Sequence, residues 1–261
     1  GPDGMGTTCV VALICGGDNP EIIVANAGDS RCVLARGAKA LNMSRDHKPT
    51  LKSERNRIQK AGGFVTSEGR VDGNLNLSRA LGDFAYKKNT NLKPSEQKIS
   101  CEAEVRRRPI EESDRYLILG CDGIFEKASS QALCDFMLPR LPGGARGRGA
   151  PPLSAVCSEF LDSNIAKDPA KEQGLGCDNM TLMAVDLQAG GAAGAKGARA
   201  GRGAPGRAAL KGKKHALLLA AGARGVVTGV GGSLRKRRVI VKDGQRMRCS
   251  LGRLRLRVAS A

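Results

Sequence analysis

Apolar residues in this chain come in short runs, set apart by polar turns. Thr8–Cys15 is a continuous apolar run of strand length, which predicts a strand buried on both faces. After the loop at 16–20, Ile22–Asn26 is a second strand. Ala27-Gly28-Asp29-Ser30 turns the chain and Arg31–Ala35 returns, a pattern that reads as an antiparallel hairpin. Leu51–Ala61 is polar and helical, and Gly62-Gly63 stops it. Phe64–Thr66 and Gly69–Gly73 read as short strands and turns. Arg115–Cys121 is another buried strand and runs straight into Asp122-Gly123. Ser129 or Ser130 caps a helix reaching about Leu138. Residues 142–152 read as a loop insertion. Ser154 starts a further helix with Val156, Phe160, Leu161 and Ile165 at helical spacing. Cys177-Asp178-Asn179 leads into a last buried strand, Met180–Leu187. Strands dominate and helices are inserted in groups, so the pattern favours an α+β fold over an alternating parallel sheet.

Composition changes this picture at residue 189. The net charge of +18 is carried almost wholly by residues 189–261, in which Asp243 is the single acid and no aromatic occurs. Such a Gly/Ala/Arg-rich segment has little from which to build a core, and the expectation is disorder. The chain therefore divides into a domain at 1–188 and a basic tail at 189–261. No apolar run approaches the ~20 residues needed to span a bilayer, so no membrane partner is expected. Nine scattered cysteines without a C-x-x-C pair argue against structural zinc. They suit reduced thiols in the cytoplasm or nucleus. A monomer is the expected state.

Three carboxylates share one kind of placement. Asp122 follows the Arg115 strand, Asp178 precedes the Met180 strand, and Asp29 lies in the turn after Ile22–Asn26. Carboxylates gathered at strand ends repel one another unless a cation joins them, and an all-oxygen site suits Mg²⁺ or Mn²⁺. Each is equally readable as an ordinary turn aspartate.

Further along, the residues become familiar in combination. Gly6-Thr7-Thr8, Ala25–Arg31, Asp46-His47-Lys48-Pro49, Arg57-Ile58 with Ala61–Gly63, Arg70–Gly73, Leu77–Asp83, Cys121–Ile124 and Gly176–Met180 occur in the order of the metal-dependent protein phosphatases. The chain resembles this PPM, or type 2C, family over about Gly4 to Gln188. Asn76–Arg79 and Tyr86–Ser100 are most similar to its gamma-type members. The resemblance implies a four-layer αββα sandwich, two antiparallel sheets flanked by helices. It also implies hydrolysis of phosphoserine and phosphothreonine in phosphoprotein substrates by a water bridging two Mg²⁺ or Mn²⁺ ions, with a place for a third. Asp122 and Asp178 match two aspartates of the dinuclear centre. Asp29, Asp122 and Glu126 match the third metal position, where the family usually has Asp instead of Glu126. Arg70, Arg79, Asp83, Gly123 and Asn179 stand as supporting residues. Phe125 stands where Trp is commoner.

The family's upstream phosphate-binding Arg, acidic pair and Asp-Gly-His-Gly-Gly motif find no match here. The expectation is thus the C-terminal portion of the domain, its N-terminal part missing, with weak metal binding and little turnover alone. His47 reads as a turn-stabilising residue rather than an acid catalyst, and Cys121 and Cys177 as small packed residues rather than nucleophiles. Two rival readings remain. One is a phosphatase-like module that binds phosphoproteins without hydrolysing them. The other is weak nucleic-acid binding by residues 189–261, through Lys211, Lys213, Lys214 and Arg235–Arg238. A tail without aromatics offers no base stacking.

Overall fold

A computed structural model describes residues 4–141, 151–188, 215–221 and 228–231. Eleven strands and four α-helices are described. β1 (Gly6–Thr7) pairs only with β6 (Leu81–Gly82). A five-stranded antiparallel sheet runs β11-β10-β2-β3-β7, from β2 (Cys9–Cys15), β3 (Glu21–Ala27), β7 (Glu104–Pro109), β10 (His215–Ala221) and β11 (Thr228–Gly231). A four-stranded antiparallel sheet runs β5-β4-β8-β9, from β4 (Arg31–Arg36), β5 (Lys39–Asn42), β8 (Asp114–Gly120) and β9 (Leu182–Asp186). The helices are α1 (Lys52–Lys60), α2 (Asp122–Phe125), α3 (Ser130–Met137) and α4 (Leu153–Asn164). None of the described helices is long and apolar enough to cross a membrane.

The two larger sheets pack face to face. Val10, Ala12, Ile22 and Val24 meet Cys32, Leu34, Leu117 and Leu119, all fully buried. The other face of the four-stranded sheet, with Val33, Tyr116 and Ile118, receives Leu133, Met137, Val156 and Phe160 from α3 and α4. Both faces of β8 are therefore covered, which is why its sequence is apolar without alternation. Ser129 caps α3 by accepting from the Ala132 N–H at 3.1 Å. Phe136 and Phe160 pack edge to face at 5.2 Å, locking α3 to α4. The α+β sandwich expected from the sequence is present. Among the described residues, the helices covering an outer face are α3 and α4.

Three expectations need correction. Ile22–Asn26 and Arg31–Ala35 do not form a hairpin: β3 pairs with β2 and β7, whereas β4 pairs with β5 and β8. The turn at Gly28 (φ 130°) carries the chain from one sheet to the other, because the apolar faces of β3 and β4 bury more by facing each other. β2 is not buried on both faces. Its burial alternates, with Val10 and Ala12 turned to the inter-sheet core. Lastly, two strands lie within the segment expected to be disordered. β10 pairs along the whole of β2, from His215 opposite Cys15 to Ala221 opposite Cys9, and β11 pairs with β10. The loop at 142–150, most of the tail and its basic clusters lie outside the described residues.

A third core holds the segment between α1 and β7. Ile58, Val71, Ala80 and Ile99 are fully buried together. Beside them α1 buries a charge. Glu54 is 2% exposed and accepts from Arg57 at 2.6 Å, from Arg79 at 2.7 Å and from the Ser78 hydroxyl at 2.7 Å. Burial alone would raise its pKa. The Arg79, Ser78 and Arg57 contacts outweigh it and bring the carboxyl down to about 2.

Candidate metal centre

Asp122 opens α2 directly after β8, and Glu126 follows one turn later at the end of the same short helix. That spacing sets both carboxylates on one helix face. Asp178 arrives from the segment leading into β9, the antiparallel neighbour of β8. Carboxylate oxygens of Asp122, Glu126 and Asp178 lie within 4.8 Å of one another. Asp122 is half-buried, and the other two are exposed.

The two aspartate segments are tied together by an unexpected residue. The thiol of Cys121, buried, donates to the Asn179 carbonyl at 3.4 Å and accepts from the Thr181 N–H at 3.1 Å. The Cys121 N–H donates to the Thr181 carbonyl at 3.2 Å. Gly123 makes the approach possible, since a Cβ there would lie 2.6 Å from the Asn179 carbonyl oxygen and 3.3 Å from the Asp178 Cβ. From behind, the buried Asn164 amide donates to the Gly123 carbonyl at 3.4 Å. Asn179 donates its own N–H to Asp178 Oδ1 at 2.7 Å, orienting that carboxylate.

Like charges so close disfavour the ionised state. Asp122 is pushed up to about 6, first by burial and then by Asp29 and Asp178, with Glu126 adding and Lys48 opposing. Asp29 is 1% exposed and is not part of the carboxylate triad. Lys48 holds it through an ion pair of 2.5 Å, and its charge still acts on Asp122.

The remaining sequence-predicted residues divide. Gly123 and Asn179 belong to the centre, as above. Arg79 binds Glu54 and the Glu102 carbonyl. Asp83, in a left-handed conformation (φ 50°), packs against Gly6, where a Cβ would strike its carboxylate at 2.0 Å. Arg70 is exposed and donates to the Asn74 carbonyl at 2.6 Å, closing its own turn. His47 stabilises a turn, as expected: its Nδ1 accepts from the Gly28 N–H at 3.2 Å. Burial, then Arg79, lowers its pKa. Sequence reasoning missed Lys48, Asn164 and the bridging role of Cys121. Lys48 sat inside the Asp46–Pro49 motif, and Cys121 beside Asp122.

Comparison with known proteins follows the same outline. The family model described as Protein phosphatase 2C matches residues 1–168. Protein phosphatase 1G of Homo sapiens is 46% identical over 180 residues, covering 69% of this chain and 32% of that protein. "Probable protein phosphatase 2C 58" of Oryza sativa subsp. japonica is 43% identical over 183 residues, covering 70% of this chain and 46% of that protein. The chain thus spans between a third and a half of the length of these relatives. Among solved structures, a phosphatase from Toxoplasma gondii aligns with a TM-score of 0.54 and 34% identity, over 64% of this chain and 48% of that one.

Proposed function

The chain belongs to the protein phosphatase 2C family, and from that premise we propose that its carboxylate centre serves metal-dependent hydrolysis of phosphoserine and phosphothreonine in phosphoproteins. The observation that carries this reading is the meeting of Asp122, Glu126 and Asp178 within 4.8 Å. The donor set fits a hard divalent cation such as Mg²⁺ or Mn²⁺. All donors are oxygens, and the pKa of Asp122, raised first by burial and then by neighbouring carboxylates, is one that such a cation would lower.

Asp122 and Asp178 would hold the ion from two neighbouring strands, with Glu126 reaching it from the helix face. A bound Mg²⁺ or Mn²⁺ supplies Lewis-acid chemistry, neutralising charge on phosphoryl oxygens and making water a better nucleophile at neutral pH. The residues of this chain contribute position. Cys121 and Gly123 fix the distance between the two aspartate segments, the Asn179 N–H orients Asp178, and Lys48 holds Asp29. Three carboxylates are half or less of the six or more oxygen ligands such ions take. Affinity and turnover of this chain by itself are therefore expected to be low.

The test is a Mn²⁺ titration followed by calorimetry, with release of phosphate from a phosphothreonine peptide measured in parallel. Wild type should bind Mn²⁺ saturably and release phosphate slowly. Asp178→Asn should lose both. Wild type that binds no Mn²⁺, or hydrolysis unchanged in Asp178→Asn, would remove the reading.

A further inference from the structure

An open cleft of about 420 Å³ has Arg31, Arg45, Lys48 and Arg106 with one acid, Asp46, as its charged lining, and Arg31 ties it to α2, the helix of Asp122, through the Phe125 ring. Three of the cations are already engaged. Arg31 grips Asp46 with two hydrogen bonds of 2.9 and 2.7 Å and lies over the Phe125 ring at 4.3 Å. Lys48 pairs with Asp29, and Arg106 with Glu104 at 2.7 Å. Arg45 is different. It is exposed, and among the described residues only its backbone carbonyl is used, accepting from Asn26 at 3.0 Å. An exposed guanidinium with no partner among the described residues, in a cleft lined by four cations and one acid, is free to pair with a carboxylate.

A second cleft residue acts on the centre through charge. Lys48 lines it and binds Asp29, whose charge reaches Asp122. An extended peptide advances ~3.3 Å per residue. One with a residue at the carboxylate centre can reach the cleft with residues a few positions away. We propose that this cleft docks an acidic stretch, rich in Asp and Glu, flanking the phosphorylated residue of the substrate, with Arg45 as its specificity-determining contact. The proposal rests on the phosphatase reading and adds a substrate class to it. The two patches of opposite sign also give the peptide a direction: anionic side chains are repelled from Asp122, Glu126 and Asp178 and drawn to the cleft.

The test is fluorescence anisotropy at low salt with a labelled, unphosphorylated Asp/Glu-rich peptide and no metal. The basic tail attracts the same probe, so Arg45→Glu is compared with Lys213→Glu, which changes net charge by the same amount. Arg45→Glu should weaken binding about tenfold and Lys213→Glu less than about twofold. Equal losses in the two variants, or none in Arg45→Glu, would overturn the proposal. A second probe replaces the carboxylates with phosphoserine. Binding by that probe alone would make the cleft a second-phosphate subsite and also overturn it. Circular dichroism checks that Arg45→Glu folds, as its exposed side chain predicts. Since the probe lacks a target phosphate and the assay lacks metal, failure here leaves the Mn²⁺ result standing, and the converse holds.

Discussion

Two of the charge clusters among the described residues are built on opposite rules. At Glu54 one carboxylate is buried and met by two guanidinium groups and a hydroxyl. Its pKa falls to about 2. At Asp122 three carboxylates meet one another, and Asp122 rises to about 6. The first cluster is satisfied from within the chain and contributes stability. The second is left unsatisfied and costs stability until something positive arrives. Both have the residue types of a functional site; what separates them is that the Glu54 carboxylate meets cations of the chain and the three at the centre meet one another.

The comparison breaks most visibly at the brace. Arg79→Met leaves Glu54 buried with half its guanidinium support and should cost about 2–4 kcal/mol, read as a lower midpoint in urea unfolding. The same change should leave Mn²⁺ binding intact in the folded fraction.

Acid titration comes next in size. A depressed carboxyl contributes stability that is present above its unfolded value, near 4.5, and is lost as pH falls toward 2. For Glu54 the shift corresponds to about 3 kcal/mol. Asp122 has the opposite sign. Its raised pKa makes the metal-free fold lose stability as pH rises from about 4 to about 6. Unfolding free energy should therefore peak between these two windows. Glu54→Gln should flatten the acid limb, and an unchanged acid limb would contradict the brace.

Asp122→Asn sharpens the contrast. It should stabilise the metal-free chain by about 1–2 kcal/mol at neutral pH, once solvent screening of this half-buried group is allowed for. Calorimetry should show Mn²⁺ binding lost in the same variant. The smallest effect belongs to Glu126→Gln. That exposed side chain should change metal-free stability by less than about 0.5 kcal/mol yet weaken Mn²⁺ binding several-fold.

These clusters differ in how legible they are in the sequence. Asp122 and Asp178 stand beside apolar runs that announce strands, so their placement at strand ends could be read directly. Glu54 could not, since α1 reads as a polar surface helix and Arg79 lies far along the chain. Lys48 and Asn164 were hidden for the same reason: their partners, Asp29 and Gly123, are set by tertiary packing. Strand existence was also more legible than strand pairing. Alternation along β3 marks its buried face and the apolar run of β4 marks burial on both, but neither shows which edges meet, so a sheet-to-sheet turn read as a hairpin. β10 offered no signal, because an Ala/Leu run in a basic tract specifies no neighbour.

The ladder between β8 and β9 has a consequence for how such a chain can vary. Asp122 and Asp178 are held in register by Tyr116–Gly120 against Leu182–Asp186, with Asn164 of the intervening α4 bracing Gly123 from behind. A slip of this ladder by one residue would turn every side chain of β9 to the other face and carry Asp178 away from Asp122. Sequence change is therefore most tightly bounded along these two strands, where an insertion or deletion would part the acids even with every carboxylate kept.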